Sequence, residues 1–136
     1  MTAKVEYKEN LRTECIHVKS NTQIETDAPT DNQGKGERFS PTDLVATALA
    51  SCMMTLMGIA VQERNINIDG TISEVEKVMG TNPRRISQIN IKMILPKDKT
   101  YTDKEKAILE KAALTCPVHF SLHPDVEKNV EFVYND

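Results

Sequence analysis

In the first third of the chain apolar residues fall at alternate positions: Val5 and Tyr7, then Ile16 and Val18, then Ile24, with Lys, Glu, His and Thr among them. A period of two turns one face of an extended strand to a core and the other to water, so this segment is predicted to be a meander of half-buried strands. From Asp27 to Phe39 the pattern stops. The stretch is polar, holds two glycines and a proline, and is predicted to be a loop of functional length. Ser40-Pro41-Thr42-Asp43 then has the grammar of a helix start, with Ser40 as N-cap, Pro41 in the first helical position and Asp43 reaching back to the cap. From Leu44 to about Glu63 the apolar residues wrap round the helix. Leu44, Ala48, Cys52 and Ile59 lie on one side and Leu49, Met53 and Leu56 on others, which predicts a helix enclosed by sheet or by a partner subunit.

Two further strand-like stretches, Ile66 to Met79 and Ile86 to Leu95, flank the turn-forming Gly80-Thr-Asn-Pro83 and are predicted to form a long hairpin. Thr102 or Asp103 can cap a second, amphipathic helix carrying Ala107, Ile108, Lys111, Ala112 and Thr115. Pro117 interrupts it. Proline disfavours helical backbone in the residue before it but suits a first turn, so Cys116 is expected at the start of a short helix running through His119 and His123 to Pro124. Val130, Phe132 and Tyr134 alternate as a last strand.

The chain has 136 residues and no linker-like stretch that would divide it, so it is read as a single domain, 1–136. Aromatic residues make up 4% and the net charge is −3, with bases interleaved among acids. That leaves neither stacking platforms nor a phosphate-binding patch, which argues against nucleic-acid binding. The N-terminus lacks the charged start and apolar run of a secretory signal, and the window Leu44 to Ala60 falls short of the roughly 20 residues that span a bilayer. Three cysteines are too few and too dispersed for a secreted disulfide scaffold. These features predict a cytoplasmic protein without membrane attachment.

The chemistry, if there is any, centres on Cys52 and Cys116. A thiolate is favoured at a helix N-terminus, where Cys116 is expected, whereas Cys52 inside an apolar helix needs a cation from elsewhere, with Arg12, Arg38, Arg84 and Arg85 as candidates. The common fate of unpaired cysteine is burial in a core, and local sequence leaves both readings open. Cys116, His119 and His123 at i, i+3 and i+7 offer a competing metal site on one helical face. Met53, Met54 and Met57 are read as core filling. No phosphate-binding loop, dinucleotide glycine pattern, nucleophile elbow or zinc-protease motif is present.

Ser40-Pro-Thr-Asp-Leu-Val-Ala-Thr-Ala-Leu-Ala-Ser-Cys52 followed by Thr115-Cys-Pro-Val-His119 resembles the OsmC/Ohr family of osmotically induced and organic hydroperoxide resistance proteins, and the order of elements matches along nearly the whole chain. The resemblance implies an α+β fold of curved antiparallel sheets around a long central helix, two chains intertwined as a homodimer, and a stress-response, antioxidant role. It makes Cys52 the peroxidatic thiolate and Cys116 the resolving thiol of an organic hydroperoxide reductase. Recycling would come from a dithiol reductant, a lipoylated protein in the best-known branch, with no metal, flavin or other cofactor. In the family's active peroxidases a Glu follows the Pro of the helix start and orients an Arg against the thiolate. Here Thr42 follows Pro41, Asp43 comes one position later, and Arg12 or Arg38 would be the guanidinium. That departure keeps a second expectation open: a protein of the same fold that binds a small apolar or thiol-bearing ligand with weak or no turnover.

Overall fold

A computed structural model describes all residues, 1–136. The chain forms two compact units, Met1–Val45 and Ala46–Asp136.

The first unit holds three strands, β1 (Ala3–Tyr7), β2 (Arg12–His17) and β3 (Gln23–Asp27), joined in that order into an antiparallel sheet. The β1–β2 turn is closed by the Arg12 N–H on the Glu9 carbonyl at 3.1 Å, with Asn10 and Leu11 at φ 54° and 63°. Two successive left-handed residues make the tight turn whose twist matches a hairpin. The β2–β3 turn is held by His17 and Ser20, whose Nδ1 and Oγ lie 2.6 Å apart, and by Asn21 at φ 62°. The register that results sets Val5, Cys15 and Ile24 in one cross-strand row, and Arg12 directly opposite Asp27. The strands fall as the alternation predicts, but the apolar row is not half-buried: Val5, Tyr7 and Ile24 are exposed. The loop that follows contains one short 3-10 turn, Thr30–Asn32.

α1 (Pro41–Val61) starts as expected. The Asp43 N–H donates to Ser40 Oγ at 3.0 Å and the Ser40 N–H donates to Asp43 Oδ2 at 2.9 Å, a reciprocal cap with Asp in the usual Glu position. At 21 residues the helix is long and apolar enough to cross a bilayer, so the length argument from the shorter apolar window does not hold. Its buried residues are those of a core helix. Ala46, Leu49, Ala50, Met53, Met57 and Val61 recur at helical spacing and form one buried stripe, while Val45 and Ile59 are exposed. Enclosure on all faces, the sequence expectation, is not achieved within one chain.

In the second unit β4 (Ile72–Gly80) and β5 (Arg85–Ile94) form the long hairpin, with a register irregularity at Val78/Met79. β4 begins at Ile72 rather than Ile66. Asp69 and Gly70, the latter at φ 91°, break the extended run. α2 (Asp103–Ala113) carries a full capping box between Thr102 and Glu105, and the five-residue α3 (Pro117–Ser121) precedes β6 (Glu127–Val133). β6 lies parallel to β5, in the order β4-β5-β6. This corrects the expectation of purely antiparallel sheets. A parallel neighbour needs a long crossover, and the stretch containing α2 and α3 supplies it. Alternation along β5 sends Ile89, Ile91 and Met93 into a core with the α1 stripe, Leu109 and Ala113 of α2, and Cys116.

Candidate functional site

Cys52 sits on the flank of the buried α1 stripe, half-buried, and packs against the core. Cys116 is part of that core, with 0% exposure. It is the N-cap of α3, as predicted, with Pro117 in the first helical position and the His119 N–H donating to Cys116 Sγ at 3.3 Å. Both thiols are free, and Cys52 is a near enough neighbour to influence the acidity of Cys116.

The acidity of Cys116 is the reverse of the expectation drawn from its helix-start position. Its pKa lies above the ordinary thiol value, first because burial strips water from the thiolate and second because the neighbouring Cys52 favours the thiol form; the N–H groups of His119 and Val118 pull the other way and lose. A five-residue helix has a weak dipole, and desolvation outweighs it. Burial thus favours the thiol form of Cys116 over its thiolate.

The metal reading fails on geometry. α3 ends at Ser121, Leu122 is extended, and His123 is an exposed residue beside Asp125, so Cys116, His119 and His123 do not share a helical face. No group of three potential ligands is present. His119 Nδ1 is buried without a hydrogen-bond partner, and its ring meets that of Phe120 edge-on at 5.5 Å.

The charged groups of the first unit are arranged differently from expectation. Arg12 forms a two-pronged pair with Asp27, Nε to Oδ1 at 2.7 Å and Nη2 to Oδ2 at 2.8 Å, and its Nη2 also reaches Glu37 at 3.3 Å. Asp27, which sequence reasoning did not single out, is 1% exposed. Arg12 holds its carboxyl below the usual range against the opposing effect of burial. Arg38 is instead an exposed surface group, paired with Glu25 at 3.2 Å and donating to the Glu37 carbonyl. Asp43 serves the helix cap, and Thr42 Oγ1 lies 3.2 Å from Ser40 Oγ. Arg85 braces the β4–β5 turn by donating to the carbonyls of Thr81 and Pro83. Asp27 had a legible signal. A hairpin centred between Lys19 and Ser20 pairs Arg12 with Asp27, though nothing local fixes that centre.

A groove of about 440 Å³ on the β4-β5-β6 face is lined by Glu74, Glu76, Asn90, Lys92 and Asn129 among others, and by neither cysteine. Its amides are tied together, with Asn129 donating to Asn90 and Asn90 to Glu76, and the adjacent Gln88 also donates to Asn90.

Residues 34–131 match the OsmC-like protein family. A crystal structure from Psychrobacter arcticus 273-4, assigned by name only to osmotic-stress induction and detoxification, is 51% identical, with a TM-score of 0.92 over 97% of this chain and 95% of its own. At 15% identity the fold also matches organic hydroperoxide resistance proteins. The one from Legionella pneumophila has a TM-score of 0.75 over 96% of this chain and 94% of its own. The one from Elizabethkingia anophelis, with thiocyanate bound, has a TM-score of 0.75 over 99% and 97%. No curated protein sequence matches significantly. With the family match covering most of its length and a relative at 51% identity, the chain belongs to the OsmC-like protein family.

Proposed function

We propose that the chain is a thiol-dependent peroxidase that reduces organic hydroperoxides. The observation that carries this reading is the proximity of a half-buried cysteine, Cys52, to a fully buried one, Cys116, close enough for the first to influence the acidity of the second. The names of the two distant hydroperoxide resistance proteins point the same way.

In this reading the Cys52 thiolate attacks the terminal peroxide oxygen and the O–O bond breaks. The alkoxide leaves and takes a proton from water, and Cys52 becomes a sulfenic acid. Cys116, as thiolate, then attacks the sulfenic sulfur. Hydroxide leaves as water, a Cys52–Cys116 disulfide forms, and a dithiol reductant returns two electrons and two protons. The order of events suits the acidities. Cys116 is kept protonated partly by Cys52, and once Cys52 carries oxygen instead of charge that restraint is relieved. No step calls for a metal or an organic cofactor.

The assembly in this reading is a cytoplasmic homodimer. Val5, Tyr7 and Ile24 on one sheet face, Ile59 on α1 and Phe120 on α3 are apolar and exposed in the single chain, and burying them against a second copy removes that surface from water. Light scattering at micromolar concentration tests this, and a monomer would refute it.

The chemistry is tested by thiol titration before and after one equivalent of cumene hydroperoxide, with products mapped by non-reducing mass spectrometry. Rapid loss of two thiols with a Cys52–Cys116 disulfide is expected. Cys52→Ser abolishes consumption and Cys116→Ser leaves a trapped sulfenic acid. Thiols that persist would refute the reading and turn the search to a ligand bound without turnover.

A further inference from the structure

Cys52 and Cys116 both lie in the second unit, and they differ in access, which governs thiol–disulfide exchange. Cys52 is half-buried on the flank of the α1 stripe. Cys116 has 0% exposure and belongs to the buried cluster with Leu109, Ala113 and Val126, so every approach to its sulfur runs through the core. Its backbone is held as well. Cys116 is the N-cap of α3, its Sγ accepts the His119 N–H at 3.3 Å, and its carbonyl accepts the Phe120 N–H at 3.3 Å.

A reductant that opens a Cys52–Cys116 disulfide has two sulfurs to attack, and two effects disagree about which. The thiol of lower pKa is the better leaving group. Burial pushes the Cys116 thiol up, so acidity alone would have Cys52 leave and the reductant attack Cys116. Acidity, however, enters exchange rates through a fractional slope, on the order of threefold per pH unit. Access is worth more. A fully buried sulfur is reached only when the core around it opens, which holds for roughly one molecule in a thousand or fewer in a stable domain.

We infer that the reductant attacks Cys52, so that Cys52 carries the mixed disulfide with the partner and Cys116 is the sulfur released. The inference rests on the reading of the two cysteines as a redox pair. Cys52 then bonds the peroxide oxygen in one half of the cycle and the partner's sulfur in the other, and Cys116 meets neither. The partner's thiolate forms an S–S bond to Cys52 as the Cys52–Cys116 bond breaks, and the departing Cys116 thiolate takes a proton from water. A second thiolate on the same dithiol then attacks the dithiol's own sulfur, which closes its disulfide and releases Cys52 as thiolate. The dithiol has lost two electrons and the two cysteines have gained them. Burial of Cys116 serves this step too. Held as a thiol it attacks back slowly, because the thiolate is the nucleophile, and the mixed disulfide lasts long enough for the second thiol to act.

The test uses the full-length protein, oxidised with diamide rather than a peroxide until non-reducing mass spectrometry shows the Cys52–Cys116 disulfide. Diamide is removed and glutathione added. Early samples are quenched in acid, free thiols are blocked with N-ethylmaleimide in denaturant, and the peptides are mapped. Glutathione on Cys52 with N-ethylmaleimide on Cys116 is expected to exceed the reverse arrangement by at least about tenfold. In urea, where both sulfurs are open, the two arrangements should come within about threefold of each other. Glutathione chiefly on Cys116 of the folded protein, similar amounts on both, or a tenfold bias that survives urea would overturn the inference. So would the absence of any adduct, since Cys116 would then return faster than the mixed disulfide can be used. A protein that forms no Cys52–Cys116 disulfide with diamide refutes the redox pair itself, and the inference with it, before glutathione is added.

Discussion

The inverted acidity of Cys116 gives a prediction that can be worked through from the structure. An ordinary thiol at 9.0 is about 1% ionised at pH 7, and each further unit upward costs another factor of about ten. Cys116 lies above that value, so its thiol form is favoured at neutral pH beyond that of an ordinary cysteine. The raising causes are burial first and Cys52 second. Cys52→Ala removes the second and leaves the first. The assay is native-state labelling with iodoacetamide across pH 6 to about 10.5, quantified on the Cys116 peptide. Burial slows access by a similar factor at every pH, so the shape of the profile is read rather than its height. In the wild type, labelling should climb about tenfold per pH unit without levelling off below pH 9. In Cys52→Ala the whole profile should move to lower pH. A plateau below pH 9 in the wild type would show that the α3 N–H groups outweigh burial after all. A profile unmoved by Cys52→Ala would show that the two sulfurs do not sense each other, and the resolving step would lose its physical basis.

Leu109, fully buried between α2 and the sheet core, should be the most sensitive position of its helix: Leu109→Ala is expected to cost about 2–5 kcal/mol, seen as a fall of roughly 10 °C in a melting curve. Thr102→Ala deletes the acceptor for the Glu105 N–H and half of the capping box, for a loss of about 1 kcal/mol by urea titration. The Arg12–Asp27 pair should make stability fall in acid. The folded pKa of Asp27 is depressed, so its contribution is fully present above the unfolded value of 3.8 and is lost as pH falls through the lower folded value. Wild type should therefore lose more stability than Asp27→Asn below pH 3.8; equal losses in the two would refute the assignment.

The family resemblance lay in two short motifs whose local geometry the structure reproduces. Ser40-Pro41-Thr42-Asp43 caps α1, and Thr115-Cys116-Pro117 starts α3, because capping and proline stereochemistry are decided within three or four residues. The period-two stretches likewise mark β1 to β6. Where local signals were mixed, boundaries slipped. Ile66 looked like part of a strand until Asp69-Gly70 turned the chain, and His123 looked helical although α3 stops at Ser121.

The sequence by itself therefore determined the caps, the turns and the periodicity of each element, since these depend on neighbours along the chain. Tertiary structure decided what depends on neighbours in space. It set β6 parallel to β5, brought Cys52 and Cys116 together, and made burial rather than a helix terminus the main influence on the Cys116 thiol. It also placed Asp27 opposite Arg12 through a hairpin register that no local preference fixes. Register, desolvation and through-space charge are properties of the folded chain, because each is set by groups far apart in sequence that only packing brings within a few ångströms.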